Sequence, residues 1–235
     1  MLLLGSIALS TLAVGEGCPD HPKVIELYHQ LIPVASQGKR NEAVSLVEAS
    51  KNKGFLCDSV YARLLIDVDY LLAKYGSEPP KGGWNLYQDK YLSLLNSLED
   101  RGEDAIIYLR LAEIAKDTGC FQEVFKWSQE GLQIDQISRF YGLLVIASYS
   151  LDMNGSTETY FDNAVGIDPA TLKQIDVMTV MAKHYADIGK LDLSKRALLK
   201  LVEVNPAADG TEDFGEAVAY LQQKAREQGR LKTEK

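Results

Sequence analysis

The feature that most constrains this chain is a block that recurs at the ends of three apolar patterns. Ile134-Asp135-Gln136, Ile167-Asp168-Pro169 and Val204-Asn205-Pro206 each close a stretch with helical spacing. Their last residues are 33 (136 to 169) and 37 (169 to 206) positions apart. A period of this size marks a stack of supersecondary units. One such unit cannot bury its apolar face alone, so neighbours must pack into a continuous core.

The rest of the chain fits that frame. Helical spacing runs through Lys23 to Ser36, with Val24, Ile25, Leu27, Tyr28, Leu31, Ile32 and Val34 apolar and Pro33 expected to kink it. Gly38 ends this helix, Asn41 is the expected cap of the next, and Gly54 closes that one. Asp58 to Tyr75 carries a stripe of Tyr61, Leu64, Leu65, Val68, Leu71 and Leu72. The sequence GSEPPKGG over Gly76 to Gly83 is the clearest break. Trp84 to Leu98 follows, with Leu86, Tyr87, Tyr91, Leu92 and Leu95 expected inward. No segment sustains the alternation of a strand.

Residues Ile175 to Pro206 resemble a tetratricopeptide repeat. Met181-Ala182 stands where that motif has Leu-Gly, Tyr185 takes the first-helix aromatic position, and Gly189 the turn. Leu198, Leu201 and Pro206 fill the second-helix and terminal positions. Ala105 to Gln136 matches in register through Tyr108, Leu111-Ala112, Gly119 and Phe121, with Gln136 in place of proline. Ser138 to Pro169 is degenerate, its turn expected at Asn154-Gly155 and thus shifted. Val24 to Phe55 resembles a fourth, weaker copy. Asp209, three residues before Glu212, opens an expected capping helix with Phe214, Ala217, Val218 and Leu221 inward.

The resemblance implies an all-α fold, an α-solenoid of about five or six antiparallel helical hairpins. It also implies that a protein or peptide partner docks on the first helix of each pair. The corresponding slots are Tyr28, Leu109, Glu113, Lys116, Ile146, Tyr149, Thr179 and Lys183. The Lys/Asn/Arg set of the carboxylate-clamp type is missing from them. The expected organisation is a signal peptide over 1–15, N-terminal hairpins over 16–76, a loop and connecting helix over 77–103, repeats over 104–208, and a capping helix with basic tail over 209–235.

Charge narrows the partner. The net charge of −8 disfavours nucleic acid, whose affinity comes from Lys and Arg on phosphates, and disfavours an anionic membrane surface. The basic run from Lys224 to Lys235 complements a helix C-terminus. Met1 to Gly15 is uncharged, mostly apolar and too short to span a bilayer. It reads as the apolar region of a secretory signal, with cleavage expected before Glu16. Two other readings stay open: lipidation at Cys18, and an uncleaved anchor or buried first helix. The expected location is therefore the periplasm or the exterior, or a membrane reached through that N-terminus. Export permits disulfides, and a Cys18–Cys57 bridge would staple the N-terminal hairpin. Cys120, after Gly119, reads as a turn residue.

No catalytic pattern accompanies the repeat. His21, His29 and His184 are scattered and form no i, i+4 pair, so no metal or other cofactor is expected. His184 reads as a plain helix residue. Asp67 and Asp69, at i and i+2, point to different faces of one helix. Glu99, Asp100, Glu103 and Asp104 read as a solvated turn ahead of a helix N-terminus. The twelve tyrosines fall mostly at inner helical positions and read as core. The expected function is a non-catalytic exported scaffold in envelope assembly or secretion. A helical domain holding a small ligand or glycan is the alternative, as is an accessory subunit of an enzyme complex.

Overall fold

The computed structural model describes residues 21–75, 83–98 and 104–233. The expected signal peptide over 1–15, Cys18, the GSEPPKGG loop up to residue 82, and Glu99, Asp100 and Glu103 lie outside the described residues. Among the described residues the chain is all-helical and has no strand, and helices pack on their neighbours in sequence, as in a helical-repeat solenoid. Eleven α-helices follow one another among them: α1 (His21–Ser36), α2 (Arg40–Asn52), α3 (Asp58–Tyr75), α4 (Asn85–Ser97), α5 (Ala105–Asp117), α6 (Phe121–Leu132), α7 (Ser138–Ser150), α8 (Asn154–Ile167), α9 (Ile175–Asp187), α10 (Leu191–Val204) and α11 (Glu212–Thr233). Short 3-10 turns at Pro169–Lys173 and Pro206–Gly210 follow α8 and α10. Both begin at the repeat prolines, which cannot continue the helix and instead open the next turn.

Two compact units divide the chain. The N-terminal unit holds the described residues up to Gly119 together with Glu130–Asp135. In it α1 packs on α2 and α3, α3 on α2 and α4, and α4 on α5. The C-terminal unit holds Cys120–Gln129 and the described residues from Gln136 onward. There α7 pairs with α8 and α9 with α10, while α9 touches both α7 and α11. First helices thus lie side by side, and α11 takes the next place in their row.

The turns between paired helices are built alike. Gly38, Gly54, Gly119 and Gly189 have φ of 73°, 73°, 74° and 78°. That left-handed conformation lets the chain fold back on the last carbonyls of the helix. Lys190 N–H donates to Tyr185 O at 2.8 Å, Phe55 N–H to Ser50 O at 3.1 Å, and Lys39 N–H to Val34 O at 3.2 Å. The third repeat-like turn does the same with Asp152, at φ 56°, and Met153 N–H donates to Ser148 O at 2.7 Å. It is therefore not shifted to Asn154-Gly155, which open α8. Gly119, Asp152 and Gly189 keep the spacings of 33 (119 to 152) and 37 (152 to 189).

Four further expectations need correction. Asn41 does not cap α2, which begins one residue earlier, at Arg40. Asp209 lies in the 3-10 turn, and the cap of α11 is Thr211, whose hydroxyl accepts from Phe214 N–H at 3.4 Å. Leu86 is 42% exposed, because the inner face of α4 is set by Tyr87, Tyr91 and Leu95. On α3 the buried face is turned away from Tyr61, Leu65 and Leu72. It runs through Val60, Arg63, Leu64, Asp67, Val68, Tyr70 and Leu71, so two charged side chains lie in phase with the core.

Candidate functional site

Those two charges organise the N-terminal unit. Asp67 is fully buried. Its carboxylate accepts from the Tyr28 hydroxyl of α1, from the Tyr91 hydroxyl of α4 at 2.5 Å, and from Arg110 Nε of α5 at 3.1 Å. Arg63 Nε stands 3.6 Å away, and the Arg63 guanidinium donates to Asp104. Asp104 also caps α5 by accepting from Ile106 N–H at 3.1 Å. The Arg110 guanidinium lies 5.8 Å from the Tyr28 ring centre and 5.3 Å from that of Tyr70. One carboxylate thereby ties α1, α3, α4 and α5 together. Burial pushes the Tyr28 and Tyr91 hydroxyls well above the ordinary phenol range, and the Asp67 charge adds to it. Both stay protonated and donate.

Beside this hub, Lys74 Nζ donates to Glu113 at 2.7 Å and to the Tyr70 hydroxyl at 2.9 Å, with Asp117 at 3.5 Å. Burial works against the Lys74 ammonium, yet Glu113, Tyr70 and Asp117 together outweigh it and raise its pKa. Burial also lifts the Tyr70 hydroxyl to about 12. Rings of Trp84, Tyr87 and Tyr91 meet Tyr70 edge-on at 5.9, 6.2 and 6.3 Å. Every named polar group here faces another inside the unit, and that is the arrangement of a structural hub.

A more open assembly crosses the first helices of the C-terminal unit. Asp187, the last residue of α9, accepts from the Tyr149 hydroxyl of α7 at 2.9 Å and from the Tyr220 hydroxyl of α11 at 2.5 Å. Lys224 Nζ of α11 lies 2.9 Å from it. One turn earlier on α9, Lys183 meets Glu216 of α11 at 3.3 Å. Tyr149, Lys183, Tyr220 and Lys224 are half-buried, and Asp187 and Glu216 are exposed. Burial opposes the Asp187 charge, but the two hydroxyls and Lys224 outweigh it and lower its pKa. The result is a band of tyrosines and paired charges held in place along α7, α9 and α11.

The slots inferred from the repeat resemblance separate into two kinds. Tyr28 is in the Asp67 hub, Leu109 is 2% exposed on α5, and Ile146 is 6% exposed within a cluster with Val145, Val177 and Met181. Thr179 is buried and donates to Ile175 O at 2.8 Å. Glu113 is buried against Lys74. Lys116 is half-buried, with Asp117 at 3.3 Å. Only Tyr149 and Lys183 fall in the open band. Asp187, Glu216, Tyr220 and Lys224 were not among the inferred slots. The signal for Asp187 was its position one helical turn beyond Lys183, which keeps both on one face.

Asp69, at i+2 from Asp67, is half-buried on a different face and pairs with Arg40 at 2.7 Å. Cys57 is disulfide-bonded, and its expected partner Cys18 lies outside the described residues. Cys120 is exposed, at the turn before α6. Among the described residues no helix is long and apolar enough to cross a membrane. No known protein family and no curated protein matches the chain.

Proposed function

We propose that this chain is a non-catalytic, exported, tetratricopeptide-like scaffold that holds a protein or peptide partner along α7, α9 and α11. The reading rests on the band of Tyr149, Lys183, Asp187, Glu216, Tyr220 and Lys224. Tyrosines offer a large contact area at a small entropic cost, because they have few rotatable bonds. Here two of them are already fixed by one carboxylate. A surface ordered before binding spends less free energy on ordering during it. The flanking charges are exposed enough to steer and register a partner without the penalty of full burial. Repeats of this type present such faces on their first helices, and the band lies on two of them, α7 and α9, and on α11 beside α9. Export is supported by the uncharged apolar Met1 to Gly15 and by the disulfide at Cys57, since such bonds persist in oxidising compartments.

The test is quantitative capture by the tagged full chain from its native host after mild cross-linking, with the bait's N-terminus read by mass spectrometry. One protein enriched by the wild type, and reduced at least about tenfold by Lys183→Glu combined with Tyr220→Ala, is the expected result. Far-UV circular dichroism should be unchanged in that variant. Equal capture by both proteins would reject the band as the docking surface. A bait that retains Met1 would reject cleaved export.

A further inference from the structure

His184 does not fit the role of a plain helix residue. It lies in the third turn of α9 and is 1% exposed. Among the described residues neither ring nitrogen has a hydrogen-bond partner. Buried polar side chains seldom stay unpaired, because the water they lose is then not replaced. The surroundings come from three helices and one turn. On α8, Glu158 stands 3.6 Å from Nε2, too far for a hydrogen bond, and is held by Lys190 of the α9–α10 turn at 2.8 Å. On α7, the Tyr149 ring meets the imidazole edge-on at 6.5 Å and 89°. On α9 itself, Tyr185 lies 5.8 Å away, and Asp187 is occupied by Tyr149, Tyr220 and Lys224.

We infer that His184 is a proton-sensitive joint of the C-terminal unit: the neutral ring packs between α7, α8 and α9, and its protonation at mildly acidic pH loosens that junction. A neutral imidazole is accommodated as a flat, mostly apolar ring. An imidazolium at the same place carries a charge that water cannot reach. Glu158 and Asp187 attract it, and Lys190 repels it. Glu158 is poorly placed to compensate, since it already answers Lys190. Burial is the larger effect and holds the ring's pKa below its ordinary 6.5. The unfolded chain therefore binds this proton more readily than the folded one. The penalty is absent above about pH 6.5 and grows as pH falls from there toward the lower folded value. For each pH unit between the two values, the unfolding equilibrium shifts up to about tenfold. This inference stands on the packing of one ring and needs no partner.

The experiment is urea unfolding of the full chain at about pH 7.5 and about pH 5.5 and fixed ionic strength, for wild type and for His184→Leu. The wild-type midpoint should fall by more than that of the variant over this interval. Equal falls would overturn the inference. A second measurement is an NMR titration of the wild-type imidazole, which keeps the test open if the variant does not fold. A midpoint below 6.5 supports the joint, and one at or above 6.5 overturns it.

Discussion

At the scale of single residues, Asp67 has the most consequence for its size. An isolated buried carboxylate would be costly, and this one is tolerated because two hydroxyls and one guanidinium point at it. Removing it strands Arg110 inside the unit with its charge uncompensated and leaves Arg63 with Asp104 alone. Asp67→Ala should therefore destabilise the protein by about 3–5 kcal/mol. Tyr91→Phe keeps the ring and removes one of several hydrogen bonds, so it should cost about 1–3 kcal/mol. Urea unfolding at neutral pH measures both. A Tyr91→Phe cost equal to or larger than that of Asp67→Ala would show that the carboxylate is not the centre of the network. None of this was legible in the sequence. The apolar stripe expected on α3 left Asp67 out of the core face, and its partners are 39, 24 and 43 residues away. The docking slots at Leu109 and Ile146 were misleading for a related reason. Both positions follow the repeat register, yet both lie in the core, where a charged replacement would disturb the fold before it touched a partner.

At the scale of elements, the turns and the close helix contacts carry the repeat. The spacing of the turns was readable because glycine at a left-handed position leaves a mark in the sequence. The third turn was misplaced because Asp152 does the same task without that mark. Aspartate is among the few residues with a side chain that visit this conformation routinely. Gly119 isolates the conformational cost, because a Cβ built there meets nothing within 4 Å. Gly119→Ala should destabilise by about 1–2 kcal/mol through backbone strain alone. Gly142 presents the opposite case. Its φ is not left-handed, but an added Cβ would lie 3.0 Å from Val177 Cγ2 and 3.2 Å from Gln174 Oε1. This small residue lets α7 approach α9. Gly142→Ala should cost about 1–3 kcal/mol by overpacking, less whatever the helix gains from alanine. Thermal unfolding of the two variants distinguishes these mechanisms when a nearby Val177→Ala change is added. That change should relieve Gly142→Ala and leave the cost of Gly119→Ala unaltered. Additivity in both pairs would refute the close-contact account of Gly142.

At the scale of the whole molecule, a stack of helices must end somewhere, and each end exposes a face that an interior repeat would cover. In the C-terminal unit α11 supplies that cover. Ala217 packs with Ala182 and Leu198, joined by Phe214, Val218 and Leu221, and Phe214 also lies against the cluster of Met178, Leu201 and Ala208. The outer side of α11 is rich in Glu, Gln, Lys and Arg, which suits a terminal unit facing water. The three half-buried apolar side chains contribute a few kcal/mol together, taking about 1.5–3 kcal/mol for each one fully buried. That is a large share of the about 5–15 kcal/mol that holds an ordinary domain together. Ending the chain after Gly210 should therefore expose Met178, Ala182 and Leu198, lower the urea midpoint and flatten the cooperative transition. It should also create a surface that binds the dye ANS. A control ending after Thr233 keeps α11 and should unfold like the full chain. If the shorter protein unfolded at the full-length midpoint without binding the dye, α11 would be an appendage, and the tyrosine and lysine it brings to Asp187 would lose their claim to a prebuilt surface.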